Sequence, residues 1–270
     1  MTMANPVGQG RLADELIEVA HRFGANPEYS RAGGGNASVK LDGVLYIKPS
    51  GVPLATLTAA DLVPLRIDVL LEALTGEDEA DGDPVQVAAA AARVGDPGGR
   101  RPSVEILFHA LIPDSLVLHT HPLVANALTC NADGAVLVAQ LLGDEAVLVP
   151  YTDPGVPLAR AVAEAREAYS VRTGREAPGI TLLGNHGIIV AGNSAAELNE
   201  RAEWLTATIA AAIDATEAPT AAPVDQVALT ALVNVVAPTL RGLLGTPDRL
   251  AVVTSDSNDL VRWTTASPAG

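Results

Sequence analysis

Aromatic, basic and cysteine residues are all scarce in this chain. Phe, Trp and Tyr together make up 3% of the 270 residues, so a core must be assembled from Ala, Val and Leu, although hydrophobic residues reach 48%. One cysteine, Cys130, leaves no partner for an internal disulfide. Lys and Arg number 17 against 32 Asp and Glu, a net charge of −15. Such a surface repels phosphate backbones and anionic headgroups, so no nucleic-acid and no membrane partner is expected. No apolar run approaches the ~20 residues of a spanning helix, and the first thirty residues lack the charged-then-apolar pattern of a secretory signal. The expectation is an acidic, cytoplasmic globular protein. Its length suits one large or two small domains that need neither disulfide nor metal merely to stay folded.

What is present alternates between helix and strand. Leu12, Leu16, Val19 and Ala20 recur at helical spacing before Gly24 and Pro27 stop the pattern, with His21 near the end of that helix. A glycine cluster at 33–35 leads into 36–40, and Asp42-Gly43 signals a hairpin before a strand over 44–47. A strand is expected over 63–67, and the Gly/Asp/Pro-rich stretch 76–100 reads as a surface excursion around an Ala run. Helices follow over 103–112, 134–142, 158–172 and 194–217, with strands over 116–120, 147–149, 180–183 and 188–190. Adjacent hairpins argue for a mixed sheet. Residues 219–223 suggest a linker between a domain over 1–218 and an extension over 224–270, with a helix over 225–244 and short strands near 251–254 and 260–263.

The histidines carry the chemistry. His119-Thr120-His121 closes an apolar strand, and side chains two apart on a strand share a face, so both imidazoles can approach one ion. Imidazole is a neutral ligand suited to zinc or iron. His186 lies in a Gly-Asn-His-Gly turn where flanking glycines allow close approach. Alone it reads as a turn histidine; with His119 and His121 it completes a set of three that leaves room for a substrate oxygen. Glu105 and His109 stand four apart on the helix expected over 103–112. Glu105 could serve as a fourth ligand at rest and a proton acceptor during turnover, or simply as an exposed first-turn glutamate. His109 reads as a buried structural residue, with a supporting or ligating role as the other option.

Gly35, Asn36, Ser50, Gly51 and Ser103 form a second group, whose backbone N–H groups and neutral side-chain donors could cradle a phosphate or carboxylate. No GxxxxGK[ST] or GxGxxG occurs, so nucleotide binding has no support.

Gly35-Asn36-Ala37-Ser38, Pro49-Ser50-Gly51, Pro102-Ser103-Val104-Glu105, His119-Thr120-His121-Pro122, Pro150-Tyr151 and Asn185-His186-Gly187 occur in one order over roughly residues 30–215. In that order they resemble the class II aldolase/adducin family, typified by fuculose- and rhamnulose-1-phosphate aldolases. The stretches 126–130 and 149–155 bring the chain nearer to the aldolase half of bifunctional aldolase/short-chain dehydrogenases, although no dehydrogenase activity is expected to carry over. The resemblance implies a three-layer α/β/α fold with a mostly antiparallel central sheet, in a homotetramer with active sites at subunit interfaces. It implies metal ligation by His119, His121, His186 and Glu105, with Glu105 also the base. It places substrate phosphate on Gly35, Asn36, Ser50, Gly51 and Ser103, and Tyr151 on the aldehyde oxygen of a neighbouring subunit's substrate. Val104 replaces a second phosphate-binding serine of the fuculose-type enzymes.

The implied reaction is retro-aldol cleavage of a sugar 1-phosphate or related ketol, with Zn²⁺ stabilising an enediolate. Fold does not fix reaction, and the superfamily also holds epimerases, dehydratases, decarboxylases and non-catalytic adducin domains. The competing expectation is a resemblance to aldolase-fold non-haem Fe²⁺ oxygenases of aromatic 2-oxo or 2-hydroxy acids in aminocoumarin-type antibiotic pathways.

Overall fold

A computed structural model of the chain describes residues 10–76, 83–95, 99–215 and 225–244. Strands β1 (Asn36–Leu41), β2 (Val44–Ile47), β3 (Val63–Arg66), β4 (Leu116–Thr120), β5 (Val147–Val149), β6 (Ile180–Leu183) and β7 (Gly187–Gly192) form one sheet in the order β3-β2-β1-β4-β7-β6-β5. Every neighbouring pair is antiparallel except β5–β6, which is parallel. This is the mixed sheet expected from the hairpin signals, mostly antiparallel as the resemblance implied.

Both faces are covered, which explains why β4 and β7 read as unbroken apolar runs. Ala37, Val39, Leu116, Leu118, Ile188 and Val190 point to one face. There they pack on α1 (Arg11–Gly24), α5 (Leu123–Thr129), α6 (Gly134–Leu142) and α8 (Ala195–Asp214). Leu45, Ile47, Val117, Ile189 and Ala191 point to the other, against α2 (Ile67–Thr75), α3 (Pro84–Ala92), α4 (Ile106–Leu111) and α7 (Val156–Thr173). The result is a three-layer α/β/α architecture. Residues Met1–Ile213 make one unit and Asp214–Gly270 a second, which contains the helix α9 (Gln226–Leu244).

Three expectations change. The stretch 76–100 contains a helix: Asp83 caps α3 by accepting from the Val85 N–H at 3.0 Å, Pro84 opens it, and Ala88, Ala89 and Ala92 are buried. Small side chains let α3 pack closely, so the Ala run marks a contact rather than an excursion. The helix expected over 103–112 begins at Ile106, because the Ser103 hydroxyl accepts the Glu105 N–H at 3.1 Å and holds 103–105 in a turn. The strand over 63–67 ends at Arg66, where α2 starts. The expected linker at 219–223 and strands near 251–254 and 260–263 lie outside the described residues.

Candidate metal centre

His119, next to last in β4, is fully buried on the α4 face of the sheet. Its Nδ1 lies 2.9 Å from the Ile188 carbonyl oxygen. A carbonyl only accepts, so Nδ1 carries the proton and Nε2 presents a lone pair. Beyond the strand end, the His121 N–H donates to the Tyr29 carbonyl at 3.0 Å, and its Nε2 comes within 2.9 Å of His119 Nε2.

His186 arrives from the turn that joins β6 to β7, in which Leu183 pairs with Gly187 and Asn185 takes a left-handed φ of 50°. Its ring centroid lies 4.8 Å from that of His119 and 5.1 Å from that of His121. Gly187 makes this approach feasible: a Cβ there would stand 2.5 Å from His121 Cδ2 and 2.5 Å from the Thr120 carbonyl oxygen. The three imidazoles offer ligand atoms that all lie within 4.8 Å of one another.

Glu105 is buried at the start of α4 rather than exposed on a first turn. Its Oε1 lies 3.4 Å from His119 Nε2 and 3.2 Å from His186 Nε2, while Oε2 accepts a hydrogen bond from the Asn36 amide. Burial raises the Glu105 carboxyl, but His119 and then His186 pull it down, to about 2. Burial lowers both His119 and His121, the latter to about 4 with help from the neighbouring His119 and His186. At neutral pH these two imidazoles are therefore uncharged donors beside a carboxylate.

This donor set fits a divalent cation. The His119 Nε2 lone pair faces His121 Nε2 at 2.9 Å and Glu105 Oε1 at 3.4 Å, and Glu105 Oε1 also faces His186 Nε2 at 3.2 Å, so these atoms call for positive charge among them, as a ring proton or as a cation. Ligands about 2.0–2.1 Å from a tetrahedral zinc stand about 3.3 Å from each other, close to the separations here. Three histidines and a carboxylate suit zinc or iron alike.

His109 stands behind the centre without joining it. It is fully buried, its Nδ1 lies 2.8 Å from Ser38 Oγ, and it stacks on Phe108, whose ring edge packs against His119 at 5.5 Å between centroids.

Of the second group, Gly35 stands against the His119 carbonyl, Asn36 against the Glu105 carboxylate and Ser103 against the Glu105 N–H. Gly35 has a φ of +76°, and a Cβ there would lie 2.8 Å from the His119 carbonyl oxygen. The Pro49–Pro102 bridge joins the turn carrying Ser50 and Gly51 to the one carrying Ser103. Ser50 donates its N–H to the Arg101 carbonyl at 2.8 Å and its hydroxyl to the Pro102 carbonyl at 3.1 Å. Asn36 differs from expectation in that its amide is engaged by Glu105. Tyr151 is 61% exposed, and within its own chain its hydroxyl donates to Asp153 at 3.2 Å.

Sequence reasoning missed Lys48. Its buried ammonium donates to the carbonyls of Val52 at 2.8 Å, Pro49 at 3.3 Å and Gly33 at 3.4 Å, tying the two glycine-bearing turns together. Burial lowers its pKa to about 8, against the raising effect of Glu105. The available signal was a lysine closing the apolar run Val44-Leu45-Tyr46-Ile47.

A family model described as Class II Aldolase and Adducin N-terminal domain matches residues 14–213. Among solved structures, the N-terminal class II aldolase domain of a conserved protein from Thermoplasma acidophilum is 25% identical. That match covers 76% of this chain and 94% of that one, with a TM-score of 0.63. YgbL from Escherichia coli is 24% identical over 78% of this chain and 93% of its own, at a TM-score of 0.54. An L-fuculose 1-phosphate aldolase, 22% identical, shares the fold over 83% of this chain and 96% of its own, at a TM-score of 0.51. The uncharacterized oxidoreductase YuxG of Bacillus subtilis (strain 168) is 29% identical over 160 residues, 56% of this chain but 23% of that protein. This chain thus spans about a quarter of the length of that curated relative. Among the described residues no helix is long and apolar enough to cross a membrane.

Proposed function

Because the chain belongs to the class II aldolase and adducin family, we propose that it is a metal-dependent lyase cleaving a sugar 1-phosphate or related ketol into dihydroxyacetone phosphate and an aldehyde. The observation that carries the reading is the convergence of His119, His121 and His186 with the buried Glu105 carboxylate. Those four residues would hold a divalent cation, Zn²⁺ in this reading, which when bound supplies Lewis acidity at the substrate's carbonyl and hydroxyl oxygens.

The chain's own groups account for the remaining steps. On cleavage of the C3–C4 bond, the electron pair stays with the fragment that keeps the C2 carbonyl, and C4 becomes the aldehyde carbon after its hydroxyl loses a proton. Tyr151 handles that proton at the aldehyde oxygen, and its exposure suits delivery to the site of a neighbouring subunit in a homotetramer. The proton lost from the C4 hydroxyl is matched by one that Glu105, a carboxylate at rest, relays from solvent to C3, so that none is gained or lost overall, and the Asn36 amide on Oε2 leaves Oε1 turned toward the histidines. The Ser103 hydroxyl, and the Ser50 hydroxyl once turned from the Pro102 carbonyl, receive the phosphate together with the backbone at Gly35, Asn36 and Gly51. Lys48 keeps those turns in register.

The test is retro-aldol release of dihydroxyacetone phosphate from L-fuculose 1-phosphate and L-rhamnulose 1-phosphate by zinc-loaded protein. Release that disappears in Glu105→Gln supports the reading. Oxygen uptake with an aromatic 2-oxo acid by iron-loaded protein, without any retro-aldol product, would replace it with the oxygenase.

A further inference from the structure

Two buried polar pairs tie α4 to β1. Asn36 and Ser38 are two apart on the strand, so their side chains leave the same face of the sheet, the one opposite Ala37 and Val39. The Asn36 amide donates to Glu105 Oε2, and Ser38 Oγ lies 2.8 Å from His109 Nδ1. Glu105 and His109 are four apart, one at the start of α4 and one in its last turn. Two strand residues span about 6.8 Å and four helical residues about 6 Å, so both pairs close together only when strand and helix run the same way at one offset. A slip of one residue along α4 would turn both side chains by about 100° and break both pairs.

The rest of α4 is less particular. Ile106, Leu107, Phe108 and Ala110 are apolar and buried in the cluster that covers this face. Their burial is favourable but carries no direction, whereas a hydrogen bond fails when either partner is displaced. With six residues, α4 also depends on its surroundings for its place. His109 is fully buried, and its Nε2 has no hydrogen-bond partner among the described residues. An aliphatic side chain would avoid that cost; the polar contact the imidazole makes is the one at Nδ1.

The offset of α4 decides where Glu105 Oε1 stands, at 3.4 Å from His119 Nε2 and 3.2 Å from His186 Nε2. His119 is held separately, on β4, by the Ile188 carbonyl. Strand β1 links the two, since Asn36 is also the register partner of His119 across the β1–β4 ladder.

We propose that Ser38 and His109 are positioning residues for the metal centre: their contact sets α4 against β1 so that the Glu105 carboxylate meets the same ion as the three imidazoles. The inference rests on the reading of Glu105 as a ligand of that ion and requires no particular substrate.

Titration of the metal-stripped full chain with Co²⁺, followed by visible absorption, tests this. Ser38→Ala should weaken Co²⁺ binding about tenfold, the scale of loss when a group that orients a ligand is removed. It should also move the absorption of the bound ion toward that seen in Glu105→Ala. His109→Leu should do the same, and the double variant should bind no more weakly than either single one. In the Glu105→Ala background, Ser38→Ala should change the affinity by less than about twofold, because no carboxylate remains to be placed. A merely structural contact would lower the melting temperature in every background and leave the spectrum alone. Ser38→Ala decides the matter if His109→Leu fails to fold. Wild-type affinity and spectrum in Ser38→Ala, or a loss that persists in full beside Glu105→Ala, would overturn the proposal and leave Glu105 a ligand. Wild-type affinity and spectrum in Glu105→Ala would overturn the ligand reading and the proposal with it.

Discussion

Replacing Gly187 by alanine tests how tightly the fold holds the histidines. The new Cβ would stand 2.5 Å from His121 Cδ2 and 2.5 Å from the Thr120 carbonyl oxygen, whereas carbon contacts settle at about 3.5 Å or more. About 1 Å of relief is needed. The Thr120 carbonyl cannot give it alone, because Thr120 pairs with Ile188 across the β4–β7 ladder. The His121 ring must therefore move, or the two strands must part. Ligand positions tolerate only about 0.2 Å, so Zn²⁺ affinity should fall about 10–100-fold or further, as for loss of a group that orients a ligand. Overpacking should also cost about 1–3 kcal/mol, at about 2–4 °C of Tm per kcal/mol for a unit of this size. Gly76→Ala is the control, since a Cβ there meets only the Glu72 carbonyl oxygen at 3.8 Å. Zinc titration of chelator-treated protein and a thermal melt read both effects. Wild-type affinity and Tm in Gly187→Ala would refute the argument.

Burial holds His121 near 4 in the folded chain, against about 6.5 unfolded. Between those values the unfolded chain binds more protons, so metal-free stability should fall as pH drops from 6.5 toward 4. Urea midpoints at pH 7.5, 6 and 5 should show that decline, and His121→Asn should lessen it; a flat profile contradicts the assignment. Lys48→Met removes the donor shared by the Gly33, Pro49 and Val52 carbonyls. It should cost about 1–3 kcal/mol in urea unfolding. Tyr151→Phe should lower kcat by about 10²–10⁴ while metal content stays at the wild-type level. A loss of metal in that variant would instead place Tyr151 at the ion.

The histidine pair was legible because a strand alternates strictly: His119 and His121 had to share a face, and Pro122 had to end the run. His186 needed the resemblance or the fold, since nothing local says that a turn 65 residues on returns to the same strand end. β7 brings it back by pairing along the whole of β4. The mixed sheet followed from the adjacent hairpins and the three layers from the resemblance, whereas α3 was hidden because a run of alanines carries no periodicity. The start of α4 moved because the Ser103 hydroxyl captures the Glu105 N–H, a side-chain bond that propensity does not reveal. Lys48 escaped notice because it rests its charge on backbone carbonyls, which leave no mark in the order of side chains.

Diffraction from a crystal of zinc-loaded protein, collected above and below the zinc edge, bears most directly on the shared ion. The account predicts one strong anomalous peak per chain, about 2.0–2.1 Å from a ring nitrogen of each of His119, His121 and His186. A peak held by fewer than all three rings, or bound only at surface carboxylates, would contradict it.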